Sequence, residues 1–358
     1  MEAICKVSLK AITQNYQYFQ QRVAPAEVIP VVKANAYGHG AVRVAQHLHQ
    51  TLEVNTFAVA TLEEAQELAV IIPKSDILIF SRVFPGELSS VPENAILSIG
   101  SVEDGLALMH SATGRLKVHL NVNTGMNRLG LSPERAIQLI ADNSHALDIC
   151  GVYTHFSSSD TASTDTFNQQ IQVFDKVVVE LKRLGFQGMV HISNSAGALH
   201  DKLDFYDAMR LGIGLYGYDT SPLALHSHRL QPAMEVLAPL IRVESIHAGE
   251  SVSYAKKWQA ASDTNIGTLR IGYADGYSRA LTNRGVVSFQ GKSYQVVGTV
   301  TMDHIMIDLG QESPATGSMF TVLGGDATQV KIAHVAAMNA TITYEICCAI
   351  SPRVKREY

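Results

Sequence analysis

The chain has 358 residues, of which 46% are hydrophobic and 17% are charged, and its formal net charge is −5 at pH 7. This length fits a barrel of about 250 residues plus a smaller domain of about 100, so we expect two domains. The charge balance lacks the basic excess of nucleic-acid-binding proteins, and we expect neither nucleic acid nor a membrane as a partner. The sequence contains no run of about 18 apolar residues and no signal-peptide pattern, which predicts a cytoplasmic protein.

Cysteine usage gives no indication of a metal site. The four cysteines, Cys5, Cys150, Cys347 and Cys348, show neither a CxxC pair nor the spacing of metal ligands. We therefore interpret them as small buried hydrophobic residues and predict no bound metal.

From residue 28 to residue 217, short apolar runs alternate with longer segments of helical period. The candidate strands are 28–35, 56–61, 76–81, 94–100, 116–123, 149–156, 188–195 and 208–217. The helical segments between them include 41–52, 62–69, 132–143 and 167–185. Eight such units can close into a (β/α)8 TIM-type barrel, which we predict for residues 8–230. An open doubly wound sheet is the structural alternative.

After Tyr218 the pattern changes to a linker-like stretch over residues 219–233, followed by strands that turn-like segments separate. Several runs between residues 235 and 350 show partial alternation of apolar and polar residues, as a half-solvated antiparallel sheet requires. We therefore predict an all-β, mainly antiparallel second domain formed by residues 1–7 and 231–358.

The stretch VVKANAYGHG, residues 31–40, ends an apolar strand on a single lysine, Lys33. Burial pushes an ammonium group toward its neutral amine, and a neutral amine on a rigid strand can form a Schiff base with an aldehyde. Lys33 is therefore our candidate for a covalent cofactor anchor. The alternative is a surface lysine that extends into solvent from the end of a strand.

In a (β/α)8 barrel the catalytic groups lie at the carboxyl ends of the strands, and the loops after strands seven and eight often bind phosphate. Ser195 and the Gly212–Gly214 backbone would lie at that place, where glycines expose N–H donors. A GxG sequence is also typical of a tight turn without a ligand. A Schiff-base lysine together with a phosphate site indicates pyridoxal phosphate.

Two further strand-end residues are candidates for contact with the cofactor ring. His155 could pack its flat ring against the cofactor, or it could be a core imidazole with satisfied hydrogen bonds. Arg210 could set its guanidinium against the pyridine nitrogen, or it could form a salt bridge with Asp204 or Asp207.

Eight motifs that follow one another along the chain match a known family in order and spacing. They are VVKANAYGHG (31–40), NTGMNRLG (123–130), GVYTHF (151–156), HISNSAG (191–197), MRLGIGLYG (209–217), SVSYAKKW (251–258), RIGYADGYSR (270–279) and TMDHIMIDLG (301–310). In these motifs the chain resembles alanine racemases of the barrel-type pyridoxal phosphate class, and the resemblance spans nearly its whole length. The resemblance implies that the chain interconverts L-alanine and D-alanine and supplies D-alanine for peptidoglycan.

The resemblance also implies a mechanism with two bases on opposite faces of the α-carbon. Lys33 would hold pyridoxal 5'-phosphate and take the proton from D-alanine, while Tyr254 would take it from L-alanine. A hydrogen-bonded link from Tyr254 through His155 to Arg210 is implied as well.

The same correspondence assigns binding roles to residues from both domains. The implied cofactor contacts are Tyr37, His155, Asn194, Ser195, Arg210, Gly212, Ile213 and Tyr344, and the implied substrate contacts are Arg128, Tyr273, Asp303 and the Met302 backbone. Of these, Arg210 would lie at the pyridine nitrogen, where a related barrel decarboxylase is expected to offer a carboxylate. Arg210 therefore discriminates a racemase from a decarboxylase.

The resemblance further implies a homodimer with shared active sites. In this family Tyr254, Tyr273, Met302 and Asp303 reach the site from the second subunit. Tyr273 would narrow the entrance, and the access corridor would be lined by His191, Arg279 and Asp303.

The chain departs from the family pattern at Asn121, where members usually carry a lysine that is often carbamylated. We expect Arg128 to be held instead by the Asn121 amide alone or by a bound anion such as chloride. Some racemases with asparagine at this position accept serine, lysine or arginine. A broad-specificity amino-acid racemase is therefore one alternative, and a basic amino-acid decarboxylase of the same fold is another. A third is a non-catalytic pyridoxal phosphate carrier, although carriers of that type lack the β domain predicted here.

Overall fold

The computed structural model describes residues 1–142, 147–200, 206–221, 224 and 226–358. Asp204, the end of the predicted helix 132–143 and part of the linker 219–233 lie outside the described residues. The chain divides into two compact units. The barrel unit comprises Lys10–Ala36 and Ala41–Gln231, and the β unit comprises Met1–Leu9, Tyr37–Gly40 and Pro232–Tyr358.

The strands and helices, numbered in chain order, have the following bounds. The strands are β1 Ile4–Val7, β2 Glu27–Pro30, β3 Thr56–Val59, β4 Asp76–Ile79, β5 Ala95–Ile99, β6 Leu116–Asn121, β7 Leu147–Tyr153, β8 Met189–His191, β9 Ala208–Leu211, β10 Met234–Ile246, β11 Thr264–Leu269, β12 Val286–Phe289, β13 Lys292–Gln295, β14 Ile305–Gly310, β15 Met319–Leu323 and β16 Lys355–Glu357. The helices are α1 Leu9–Val23, α2 Ala41–Leu52, α3 Leu62–Ile71, α4 Val102–Ser111, α5 Pro133–Asp142, α6 Asp165–Arg183, α7 Ile332–Met338 and α8 Thr343–Ala349.

The barrel unit contains eight parallel strands in the order β2, β9, β8, β7, β6, β5, β4, β3. The ring closes where Val31, directly after β2, pairs in parallel with Ala58 of β3. There the Val32 N–H donates a hydrogen bond of 2.9 Å to the Ala58 carbonyl. The predicted (β/α)8 architecture is confirmed, and the open doubly wound alternative is excluded.

Burial explains why the barrel strands are almost continuously apolar. Phe57, Ala58 and Val59 of β3 have no exposed surface, because helices cover one side of a parallel strand while the barrel interior covers the other. Outside the barrel, α3 begins at a capping box in which Thr61 and Glu64 exchange hydrogen bonds.

All eight predicted barrel strands run past their observed carboxyl ends, and the first and the last do so by the most residues. The first ends at Pro30 rather than at residue 35, because the chain enters a left-handed turn over residues 33–37. The last ends at Leu211, and a 3-10 turn follows over Ile213–Tyr216. In both cases the residues predicted as strand ends form a turn just after the strand.

The β unit is built on eight strands, most of them paired antiparallel. One path runs β13, β12, β15, β10, β1, β16, while β11 and β14 extend the sheet from β10. The antiparallel prediction is confirmed, but the expectation of an all-β domain is wrong because α7 and α8 lie near the carboxyl terminus. Ile332, Val335 and Ala336 of α7 are buried at helical spacing.

The structure also tests the predicted burial of the cysteines and the expectation that the chain does not span a membrane. Cys5 and Cys347 are buried and Cys150 is half-buried, but Cys348 is exposed, so the interpretation of all four as buried residues is wrong for Cys348. Among the described helices, none is both long enough and apolar enough to cross a membrane.

Candidate active site

Lys33 begins the left-handed turn at the carboxyl end of the first barrel strand. The backbone φ values of residues 34–37 lie between 51° and 54°, a region that costs an ordinary L-residue roughly 1–2 kcal/mol. The turn is closed by the Ala36 N–H, which donates a hydrogen bond of 2.8 Å to the Val32 carbonyl. The Lys33 side chain therefore leaves the barrel wall from a fixed and strained backbone.

A cavity at the barrel mouth gathers several of the predicted residues. The lining includes Lys33, Phe80, Asn121, Met126, Arg128, Tyr153, Thr154 and His155. The Lys33 amine lies 5.9 Å from the centre of the Phe80 ring. Lys33, Arg128 and His155 thus come together, as expected of the carboxyl ends of barrel strands.

Arg210 lies behind this cavity and is only 2% exposed. Its Nη1 donates to His191 Nδ1 at 2.8 Å, and its Nη2 donates to His155 Nδ1 at 3.1 Å. Further bonds reach the backbone carbonyls of Thr154 at 2.6 Å and Ile192 at 3.0 Å. Within the described part of the chain, Arg210 Nε–H has no hydrogen-bond partner, so one donor of a buried cation is available.

The salt-bridge alternative for Arg210 is not observed with Asp207. The Asp207 carboxylate accepts a hydrogen bond of 2.7 Å from the Val190 N–H instead. Arg210 therefore keeps its charge among imidazole nitrogens and carbonyl oxygens, without a carboxylate partner in the described segments.

The histidines around Arg210 are neutral. Burial, with the positive charge of Arg210, lowers the pKa of His155 to about 3 and the pKa of His191 well below its usual value. Burial also lowers the pKa of Arg210, to about 10, so the guanidinium remains charged near neutral pH. Because Arg210 can only donate, His155 accepts at Nδ1 and carries its hydrogen on Nε2.

Ser195 organises the glycine loop after the last barrel strand. Its Oγ accepts hydrogen bonds from the N–H groups of Gly212 at 3.0 Å and Gly214 at 3.1 Å. The Ser195 hydroxyl hydrogen and the Ile213 N–H remain as donors, since neither donates a hydrogen bond within the described chain. The Asn194 side-chain oxygen accepts from Ser159 and from the Gly197 N–H, both at 2.9 Å, and so supports the loop.

The β unit gathers the remaining predicted residues in two places. The rings of Tyr37 and Tyr344 lie 5.9 Å apart between centres. A second pocket is lined by a group that includes Tyr254, Tyr273, Arg279, Met302 and Asp303. Within that pocket Tyr254 is 72% exposed and Met302 is 52% exposed.

One corridor assignment is wrong. His191 has no exposed surface, because it lies inside the barrel between Arg210 and the stacked ring of Tyr153. Asp303, by contrast, lies at the β-unit pocket, where Arg353 donates to its carboxylate at 2.8 Å.

Sequence reasoning missed three residues that support the site: His119, Glu64 and Arg353. His119 stands two positions before Asn121 on β6, and this period-two spacing places both side chains on the same face of the strand. Glu64 carries the signature of a capping box, three residues after Thr61. Arg353 lies near the carboxyl terminus, and no local pattern indicates its partners.

The comparisons with known proteins agree with this geometry. Two family models match the chain, "Alanine racemase, N-terminal domain" over residues 7–220 and "Alanine racemase, C-terminal domain" over residues 233–358. The alanine racemase of Lactococcus lactis subsp. cremoris is 36% identical over 98% of this chain and 96% of its own length.

Solved structures give the same result. The alanine racemase from E. faecalis superposes with a TM-score of 0.91 at 34% identity, covering 100% of this chain and 98% of that one. The alanine racemase from Bartonella henselae with covalently bound pyridoxal phosphate has a TM-score of 0.89 at 30% identity, covering 100% and 99%. The chain therefore belongs to the alanine racemase family.

Proposed function

We propose that this chain interconverts L-alanine and D-alanine with pyridoxal phosphate, using Lys33 and Tyr254 as its two bases. The observation that carries the proposal is the position of Lys33 in the cavity that His155 also lines. His155 is bonded in turn to a buried, charged Arg210. A lysine amine beside a fixed donor system suits a covalently held cofactor better than a snorkelling surface residue does.

The residues of the barrel unit fit the chemical groups of pyridoxal phosphate. Lys33 offers the amine for the aldehyde, and the unpartnered Nε–H of Arg210 can donate to the pyridine nitrogen. Ser195 and the Ile213 N–H are available donors for phosphate. The family resemblance assigns Gly212 of the same loop, and Tyr37 and Tyr344 of the β unit, to the phosphate as well. Asn194 holds the loop that carries Ser195 through its bonds to Ser159 and Gly197.

When bound, pyridoxal phosphate supplies a conjugated ring that withdraws electrons from the α-carbon of the substrate. Arg210 would donate a hydrogen bond to the ring nitrogen and keep its proton, because even its lowered pKa of about 10 lies far above neutral pH. This restraint favours simple proton exchange over side reactions such as transamination. A buried cation at this position also argues against the decarboxylase alternative, for which a carboxylate is expected.

Proton transfer requires one base on each face of the α-carbon. We assign the proton of D-alanine to the Lys33 amine and that of L-alanine to the Tyr254 hydroxyl, and each group returns a proton after the other has removed one. His155 carries its hydrogen on Nε2, so it can donate to the Tyr254 oxygen. Arg128 and the Met302 backbone would hold the substrate carboxylate.

The surroundings of Arg128 support a bound anion. Asn121 and Arg128 both line the cavity, but in the described segments no hydrogen bond joins them. The Asn121 amide alone therefore does not hold the guanidinium. We propose that chloride lies beside Arg128 and holds its guanidinium, as the carbamylated lysine usual in the family would. We also propose that alanine, rather than serine, lysine or arginine, is the preferred substrate.

A homodimer with shared sites would account for the exposed residues of the β unit. Tyr254, Tyr273 and Met302 are 72%, 42% and 52% exposed. Large apolar side chains grouped at a surface commonly mark an interface with another protein. We propose that the second subunit places Tyr254, Tyr273, Met302 and Asp303 at the barrel mouth. By family resemblance, the D-alanine would serve peptidoglycan synthesis in the cytoplasm.

Deuterium exchange at the α-carbon separates the two bases. In D2O, Tyr254→Phe should lower racemisation by about 10²–10⁴-fold while D-alanine still exchanges its α-hydrogen through Lys33. Proton NMR follows the exchange, and circular dichroism follows the loss of optical activity. The matched control is Tyr294→Phe, which alters a hydroxyl bonded to Glu312 in the same unit. Wild-type racemisation by Tyr254→Phe would contradict the assignment of Tyr254 as a base, whereas a wild type that racemises no amino acid would favour the non-catalytic carrier.

A further inference from the structure

A pair of imidazoles inside the barrel has no role in the proposed reaction. His119 on β6 and His191 on β8 are 2% and 0% exposed, and the strand between them is β7. His119 Nδ1 lies 3.0 Å from His191 Nε2. The other nitrogen of His191, Nδ1, lies 2.8 Å from Arg210 Nη1.

A glycine makes this reach across β7 possible. Gly151 of β7 pairs in register with His119. A Cβ atom at Gly151 would lie only 2.3 Å from His119 Nε2 and 2.4 Å from Cδ2. Because position 151 has no side chain, the His119 ring can lie over the intervening strand and contact His191 on the next one.

The chemistry of Arg210 fixes every hydrogen in this chain of bonds. A guanidinium only donates, so His191 must accept at Nδ1. Burial lowers the pKa of His119 to about 3 and that of His191 well below its usual value, and both rings are neutral near pH 7. A neutral His191 that accepts at Nδ1 carries its hydrogen on Nε2. That hydrogen is donated to His119 Nδ1, and His119 carries its own hydrogen on Nε2.

We propose that His119 is a positioning residue for Arg210, acting by accepting the Nε2 hydrogen of His191 and so fixing the tautomer and orientation of that ring. Without this acceptor, the buried Nε2–H of His191 has no partner, which is energetically costly. The ring would then lower its free energy by rotating toward another acceptor. Such a rotation withdraws Nδ1 from Arg210. Its relevance to catalysis depends on the proposed place of Arg210 at the pyridine nitrogen.

Nitrogen NMR on the full-length protein, labelled with 15N-histidine, tests the tautomers directly. In the wild type, His191 should have an unprotonated Nδ1 and a protonated Nε2, and His119 should have the same pattern. His119→Asn keeps an acceptor where Nδ1 stood, so the His191 pattern should persist. His119→Leu removes the acceptor, and the His191 pattern should change tautomer or broaden.

Gly151→Ala provides an independent route, because the added methyl group displaces the His119 ring while leaving both imidazoles in the sequence. It should disturb the His191 signals as His119→Leu does, and it serves in place of His119→Leu if that variant fails to fold. A protonated Nδ1 on His191 in the wild type would overturn the proposal. Unchanged His191 signals in His119→Leu or Gly151→Ala would overturn it as well.

Kinetics of the cofactor-loaded enzyme then test the link to Arg210. We expect kcat for alanine to fall about tenfold in His119→Leu, by analogy with the partners that orient metal-binding histidines. KM should change little, and His119→Asn should recover most of the loss. Unchanged kcat with a changed tautomer would overturn the positioning role. A wild type that shows the expected tautomers but no racemisation would instead overturn the proposed function.

Discussion

The Glu64 carboxylate accepts a hydrogen bond of 2.6 Å from the backbone N–H of Ala34, the residue that follows Lys33. Its second oxygen accepts from the N–H groups of Ala60 at 2.7 Å and Thr61 at 3.3 Å. Glu64 therefore caps α3 and at the same time holds the first residue of the left-handed turn. The strained backbone that carries Lys33 is stabilised by a charged acceptor from a neighbouring helix.

Removing this acceptor should destabilise the protein and disorder the lysine. We expect Glu64→Ala to lose about 1–3 kcal/mol of unfolding free energy, because it leaves backbone donors without a charged partner and removes a cap. Urea unfolding measures the loss, and visible absorbance measures how fast Lys33 takes up pyridoxal phosphate. The control is Glu67→Ala on the exposed face of α3. Equal stability and equal uptake in the two variants would contradict the role of Glu64.

The left-handed turn illustrates what the sequence could not predict. Short apolar runs that alternate with helical segments identified all eight barrel strands, since a parallel strand that is covered on both sides must be apolar. It could not show that Ala34, Ala36 and Tyr37 adopt positive φ, because these residue types favour other conformations and tertiary hydrogen bonds hold them there. The first strand was therefore extended to residue 35 instead of ending at Pro30.

Site residues could be predicted from the sequence where a local pattern, such as the end of a strand, marks them. Lys33, His155 and Arg210 stand at strand ends, where barrel geometry alone indicates chemistry. Tyr254 was identified only by family resemblance, since an exposed tyrosine in a turn has no distinguishing pattern of its own. His119 was missed because its partner His191 lies 72 residues away.

Acidification should destabilise the barrel through its buried histidines. The pKa of His119 is about 3 in the folded protein, below the reference value of 6.5, so only the unfolded chain takes up its proton between these values. The resulting stability is complete above pH 6.5. It is lost as the pH falls toward 3, by at most about 1.4 kcal/mol per pH unit for each such histidine.

Urea unfolding between pH 7.5 and pH 5 measures this slope. His119→Asn removes one titrating group and should show a shallower fall in unfolding free energy than the wild type. His334→Asn, at an exposed position of α7, should keep the wild-type slope. An identical slope in His119→Asn and the wild type would show that His119 does not contribute.

Chloride should strengthen alanine binding if an anion lies beside Arg128. We expect KM for alanine to be roughly fivefold higher in sodium gluconate than in sodium chloride of equal ionic strength, which corresponds to about 1 kcal/mol. Asn121→Asp places a carboxylate in the same cavity and should remove the dependence on chloride. Steady-state kinetics in the two salts measure both effects, and equal KM values for the wild type would exclude the anion.

Mixed dimers should reveal whether Tyr254 acts on the barrel of the other subunit. Lys33→Ala and Tyr254→Phe homodimers should each be nearly inactive, because every site lacks one base. A dimer that combines one subunit of each kind, purified through two different tags, has one site with both bases and one with neither if the sites are shared. We expect it to racemise alanine at roughly half the wild-type rate. If Tyr254 serves its own subunit, each site in the mixed dimer lacks one base, and the mixed dimer stays as inactive as its parents.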